Sequence, residues 1–130
     1  MIGTRLYSGS PFEEMAGYAR AVVDGDTVHV SGTTGYDPEI NGFAATVEEQ
    51  ATRAFATISD VLERAGTSRE NIIRMRVYVA SREEFDRIKS IIRDYSMPAR
   101  PANTALICGL ATEEMRVEFE VTARIPQATE

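Results

Sequence analysis

The run Arg116-Val117-Glu118-Phe119-Glu120-Val121-Thr122-Ala123-Arg124-Ile125 decides the fold. Apolar side chains take every second position, from Val117 through Phe119, Val121 and Ala123 to Ile125, with Arg116, Glu118, Glu120, Thr122 and Arg124 between them. Successive strand residues point to opposite faces, so the alternation predicts a strand with a core behind it. Its polar face must meet water, a ligand or another subunit. Just upstream, Ala99-Arg100-Pro101-Ala102-Asn103-Thr104-Ala105-Leu106-Ile107-Cys108-Gly109-Leu110 contains a second strand, predicted over Thr104 to Leu110 after the proline.

Upstream of this pair the signals are helical. Thr46-Val47-Glu48-Glu49 and Ser81-Arg82-Glu83-Glu84 are both capping boxes, in which a hydroxyl and a carboxylate satisfy free N–H groups at a helix start. After the first, apolar residues from Val47 to Ala65 recur at helical spacing and Gly66 supplies a stop. After the second, Phe85, Ile88, Ile91, Ile92 and Tyr95 continue a helix that ends before Pro98. Ile72 to Val79 between them reads as a strand, with Met75, Val77 and Val79 on one face and Arg74, Arg76 and Tyr78 on the other.

Nearer the start, Tyr18 to Val23 and Thr27 to Ser31 flank Asp24-Gly25, a hairpin signal. Leu6 to Ser8 is a candidate edge strand, Gly9 to Met15 reads as loop, and Gly32 to Pro38 as a turn-rich loop. The order is β-β-α-β-α-β-β, with an optional extra strand in front. It implies an α+β fold: one mixed sheet with two helices on one face. The other face, carrying His29, Arg74, Arg76, Glu118 and Glu120, is large enough to call for cover by further copies.

Composition bounds the function. At 130 residues the whole chain, 1–130, is expected to form one domain. A net charge of −6 argues against a phosphate-neutralising surface, so no nucleic-acid partner is expected. One cysteine, Cys108, excludes an internal disulfide, and no apolar run approaches a membrane span of roughly 20 residues. The start of the chain lacks a signal-peptide pattern, so a cytoplasmic, reducing setting is expected. His29 is the only histidine and has no partners at ligand spacing, so neither a metal nor another cofactor is expected.

The order of elements, with the landmarks Tyr18, Val30-Ser31-Gly32, Arg100-Pro101-Ala102 and Val117-Glu118-Phe119-Glu120, resembles the RidA (YjgF, reactive-intermediate deaminase) family from about Tyr18 to Ile125. The resemblance implies a chorismate-mutase-like fold, a homotrimer with a central barrel, and clefts between neighbouring subunits. The activity it implies is hydrolysis of small imines and enamines, such as 2-aminoacrylate, to a carbonyl compound and ammonia. Residue by residue, Glu118 falls where the family has the glutamate that orients the attacking water. Tyr18, Ser31 and Gly32 fall on cleft positions.

The chain departs from the family pattern at three positions. Asn103 replaces an arginine that pairs with the substrate carboxylate, Ala105 stands where a cysteine is usual, and Lys89 corresponds to a pocket asparagine early in the second helix. A guanidinium offers a full charge and a two-pronged fork, whereas Asn103 offers an uncharged amide. Losing such a pair costs on the order of 1.5–3 kcal/mol. Two readings therefore stand: an imine or enamine hydrolase with altered substrate preference, or a non-catalytic trimer that binds a small, ketoacid-like metabolite in the same clefts or acts as a regulator through protein contacts. Lys89, Arg100, Arg74 and Arg76 are candidate replacement cations. RNA cleavage is the weakest reading, because the chain is acidic and has no histidine pair.

Overall fold

The computed structural model describes residues 1–127. Strand β1 (Thr4–Leu6) is followed by helix α1 (Pro11–Ala16), then by β2 (Ala21–Asp24) and β3 (Thr27–Thr34). A small hairpin of β4 (Tyr36–Asp37) and β5 (Gly42–Phe43) leads into α2 (Val47–Ala65). After a 3-10 turn come β6 (Ile72–Val79), α3 (Arg82–Ser96), β7 (Ala102–Ile107) and β8 (Val117–Arg124). Six strands form one sheet in the order β1-β2-β3-β8-β6-β7. Among the described residues only β6 and β7 run parallel, and they are the pair joined by a helix, as a parallel connection requires.

The alternating run lies at the centre of the sheet as β8. Val117, Phe119, Val121 and Ala123 are fully or almost fully buried, facing α2 and α3. The Phe55 ring on α2 is sandwiched between Phe119, centroids 4.1 Å apart, and Tyr95 of α3, 4.0 Å apart. Both helix starts are capped by their hydroxyls: Thr46 Oγ1 accepts from the Glu49 N–H at 3.2 Å and Ser81 Oγ from the Glu84 N–H at 3.1 Å, while the Glu49 and Glu84 carboxylates accept from those same hydroxyls. No helix among the described residues is long and apolar enough to cross a membrane.

Several boundaries differ from the sequence reading. The segment read as loop from Gly9 to Met15 contains α1, started by Ser10, whose Oγ accepts from the Phe12 N–H. The first edge strand is Thr4–Leu6 rather than Leu6–Ser8. Strand β3 runs on to Thr34 because a bulge lets it turn a corner while still pairing with β8. Strand β7 begins at Ala102 and stops at Ile107, and Cys108 beyond it is half-buried.

Strand β7 borders the sheet, and all six of its residues are exposed, Leu106 at 50% and Ile107 at 40%. Both helices lie on the opposite face from Glu118 and Glu120. That polar face is tied by Arg76, whose Nη1 donates to Glu120 Oε2 at 3.1 Å, and by the Tyr78 hydroxyl, which donates to Oε1 at 2.8 Å.

Candidate functional site

The site begins with the bulge in β3. Val30 lies opposite Val121 and Thr33 opposite Phe119, so β3 fits one extra residue between them, at Ser31-Gly32. The Ser31 hydroxyl donates to the Ala19 carbonyl at 2.6 Å, and the Ser31 N–H to the Arg20 carbonyl at 2.8 Å. These bonds anchor the bulge to the segment that carries Tyr18.

Gly32 is required for space. A Cβ built there would overlap the Glu118 carboxyl, falling 2.9 Å from its Cδ. Glu118 lies opposite Thr34 on one side and Tyr78 on the other. Its carboxyl is half-buried and makes no hydrogen bond among the described residues. Burial pushes its pKa above the ordinary carboxylate value; the Arg20 charge pulls it down and Glu120 pushes it further up. A carboxyl held in this way binds a proton more readily than one in water and has lone pairs free to do so.

A buried ion pair supports this corner. Arg20 and Glu13 are each 4% exposed, and Arg20 Nε donates to Glu13 Oε2 at 2.9 Å. Glu13 also accepts from the Ser8 N–H and hydroxyl. Burial raises its pKa, but the Ser8 and Arg20 hydrogen bonds outweigh that, and the net direction is down. Arg20 Nη1 donates to the Gly32 carbonyl at 2.7 Å and to Thr33 Oγ1 at 3.2 Å, while Nη2 lies 3.4 Å from the Tyr18 hydroxyl. One guanidinium thus holds the bulge, the tyrosine and α1 together, and its charge reaches Glu118. Sequence reasoning missed both residues. Ser10-Pro11-Phe12-Glu13 does carry a helix-start signature, with proline at the first helical position, but nothing local marks Arg20 as its partner.

The remaining candidates lie elsewhere in the chain. Asn103 pairs in register with Met75 and Ala105 with Val77, which puts both on the helix side of the sheet. Asn103 and Lys89 line one groove between the end of α3 and the start of β7, together with Ser96, Met97 and Arg100. Lys89 Nζ is paired with Asp86 at 2.8 Å. Tyr18, Ser31, Gly32 and Glu118 are thus tied to the bulge as one candidate half-site, and Asn103 and Lys89 line a groove on the other face of the sheet as a second candidate, with Ala105 beside it on the edge strand. His29 is exposed and lies opposite Thr122 on the polar face. Among the described residues, no group of three or more His, Cys, Asp and Glu is placed to hold a metal.

Comparison with known proteins bears on the family and the fold. The Endoribonuclease L-PSP family model matches residues 9–125. An uncharacterized protein of Streptomyces coelicolor is 34% identical over 92% of this chain and 90% of its own length. The Bos taurus 2-iminobutanoate/2-iminopropanoate deaminase is 28% identical over 82% of this chain and 78% of its own. Among solved structures, a Mycobacterium tuberculosis member of the YjgF/YER057c/UK114 family superposes with a TM-score of 0.83 at 28% identity, covering 94% of this chain and 98% of that one. With this match along nearly its whole length, the chain belongs to the Endoribonuclease L-PSP family, also called RidA/YjgF.

Proposed function

We propose that the chain works as a homotrimer whose clefts, formed between neighbouring copies, hydrolyse a small imine or enamine to a carbonyl compound and ammonia. The observation that carries this reading is the Glu118 carboxyl, half-buried without a hydrogen-bond partner among the described residues, over a glycine bulge that leaves it room. The two half-sites lie on opposite faces of one chain's sheet, so only a second copy could bring both to one substrate. The bare edge strand β7 supplies the apolar surface for such a contact.

An enamine first becomes the imine by taking a solvent proton on its β-carbon and releasing one from nitrogen to solvent. Glu118 then accepts a proton from water as the water oxygen bonds to the C=N carbon, and the π pair moves to nitrogen, which takes up a proton from solvent. In the carbinolamine Glu118 returns its proton to the nitrogen; the hydroxyl proton passes to solvent as C=O forms, the C–N bond breaks and ammonia departs. Tyr18 and Ser31 border the cleft, and Asn103 replaces a charged recognition group with a neutral amide, shifting substrate preference.

The test is 2-aminoacrylate turnover, with a dehydratase supplying the intermediate. Acceleration of ketoacid release by the wild type, lost in Glu118→Gln, supports the reading. An inert wild type whose Asn103→Arg variant gains activity means the pocket has been retuned to another substrate. Inertness of both favours the second reading, a non-catalytic metabolite-binding trimer, for which the uncharged Asn103 is the specific observation.

A further inference from the structure

We propose that the pocket lined by Ser10, Thr34 and Arg53 binds a small tetrahedral oxyanion, a phosphate ion or a phosphate monoester, at a place separate from the cleft. The first observation is the cavity. It measures about 190 Å³ and lies between the loop before α1, the end of β3 and the α2 helix. Drug-sized ligands need pockets of roughly 300 Å³ or more, so the occupant is small. The pocket shares no residue with the group Tyr18, Ser31, Gly32 and Glu118, nor with the groove that holds Asn103 and Lys89.

The second observation is a surplus of donors. The Ser10 hydroxyl accepts from the Phe12 N–H and the Thr34 hydroxyl from the Tyr36 N–H, each at 3.3 Å, and among the described residues neither donates its own proton. The Arg53 guanidinium makes no hydrogen bond among the described residues; its partner is Asp37, with 3.3 Å between Nη2 and Oδ2. Arg20 also lines the pocket, but Glu13 matches its charge and Gly32, Thr33 and Tyr18 take up its remaining N–H groups. The charge on offer is therefore that of Arg53, and no carboxylate is among the lining residues. The third observation is where the donors come from: a loop, a strand and a helix, on separate walls. A carboxylate holds two oxygens in one plane and suits a single fork, whereas a phosphate presents three strong acceptor oxygens in diverging directions. Donors on three walls match the second shape. Asp37 then competes with the anion for Arg53.

The experiment is titration of the full chain with inorganic phosphate at constant ionic strength, followed by amide chemical shifts in NMR, with acetate as the planar control. The expected result is a saturable shift of the Ser10 and Thr34 amides with phosphate and none with acetate. Arg53→Gln weakens binding roughly ten- to a hundred-fold. Asp37→Asn keeps the Oδ1 that accepts the Glu39 N–H at 3.0 Å but removes the competing charge, so it tightens binding. Arg87→Gln, whose partner Glu48 lies outside the pocket, leaves it unchanged. Methyl phosphate separates the two sources: a monoester is the ligand if it binds as tightly as phosphate, the free ion if it does not. The assignment is overturned if phosphate does not saturate, if acetate binds as tightly, or if Arg87→Gln loses as much as Arg53→Gln. It is also overturned if Asp37→Asn fails to tighten binding, a readout that stands even should Arg53→Gln not fold. None of these results depends on imine hydrolysis.

Discussion

Arg20→Met removes the guanidinium from a pair in which both members are 4% exposed. Glu13 then keeps only its Ser8 hydrogen bonds, and the Gly32 carbonyl loses its 2.7 Å donor. Breaking a buried pair on one side costs about 3–5 kcal/mol because a charge is left uncompensated. Divided by a urea m-value of about 2 kcal/mol/M, a loss of about 4 kcal/mol lowers the unfolding midpoint by about 2 M. The assay is urea unfolding at fixed protein concentration, since any assembly makes the midpoint concentration-dependent. The double variant Glu13→Leu/Arg20→Met removes both charges and should recover part of the loss, leaving the cost of the orphaned Gly32 carbonyl, about 1–3 kcal/mol. An Arg20→Met loss below about 1 kcal/mol, or a double variant no better than the single, would show that the pair does not hold this corner together.

The two glycines beside the site should respond differently to alanine. Gly32→Ala meets the mobile end of Glu118 and should depress activity with little change in melting temperature, whereas Gly35→Ala meets Gln50 backbone at 2.5 Å and should cost about 1–3 kcal/mol in thermal unfolding. Gln50→Ala should destabilise by about 2–3 kcal/mol in the same assay, because its amide bridges the Ala44 and Glu114 carbonyls and the Arg116 N–H, each at 2.9 Å. Since burial raises the Glu118 pKa and the base must be ionised, kcat/KM should fall on the acid side with an inflection above the ordinary carboxylate value. A folded-state pKa above the unfolded one means that ionising Glu118 costs stability as pH rises. Glu118→Gln should therefore melt higher than wild type at neutral pH, and the gap should close as pH falls.

Central elements were the most legible in the sequence. The alternation from Val117 to Ile125 could only be a half-buried strand, and the two capping boxes marked the starts of α2 and α3 because those signals are local. The extra β3 residue at Ser31-Gly32 was hidden, since a bulge shows only against its partner strand. Helix α1 spans six residues, and its Ser-x-x-Glu pattern lies between the turn formers Gly9 and Gly17, too short to show a helical apolar period. Arg20 was invisible because its partners Glu13, Gly32 and Thr33 come from three separate segments. The resemblance named Glu118, Tyr18 and Asn103 individually. Only the register of β6, β7 and β8 puts Glu118 and Asn103 on opposite faces of the sheet.

That division yields the most direct test of a cleft shared between copies. Glu118→Gln disables one half-site, and Asn103→Trp fills the other; each alone should be inactive in imine hydrolysis. Unfolded together in equal amounts and refolded, they should regain about a quarter of the wild-type rate, because in a random mixture that share of clefts draws an intact half-site from each of two neighbours. A mixture as inactive as its components, in assemblies confirmed to be mixed, would contradict a cleft built between subunits.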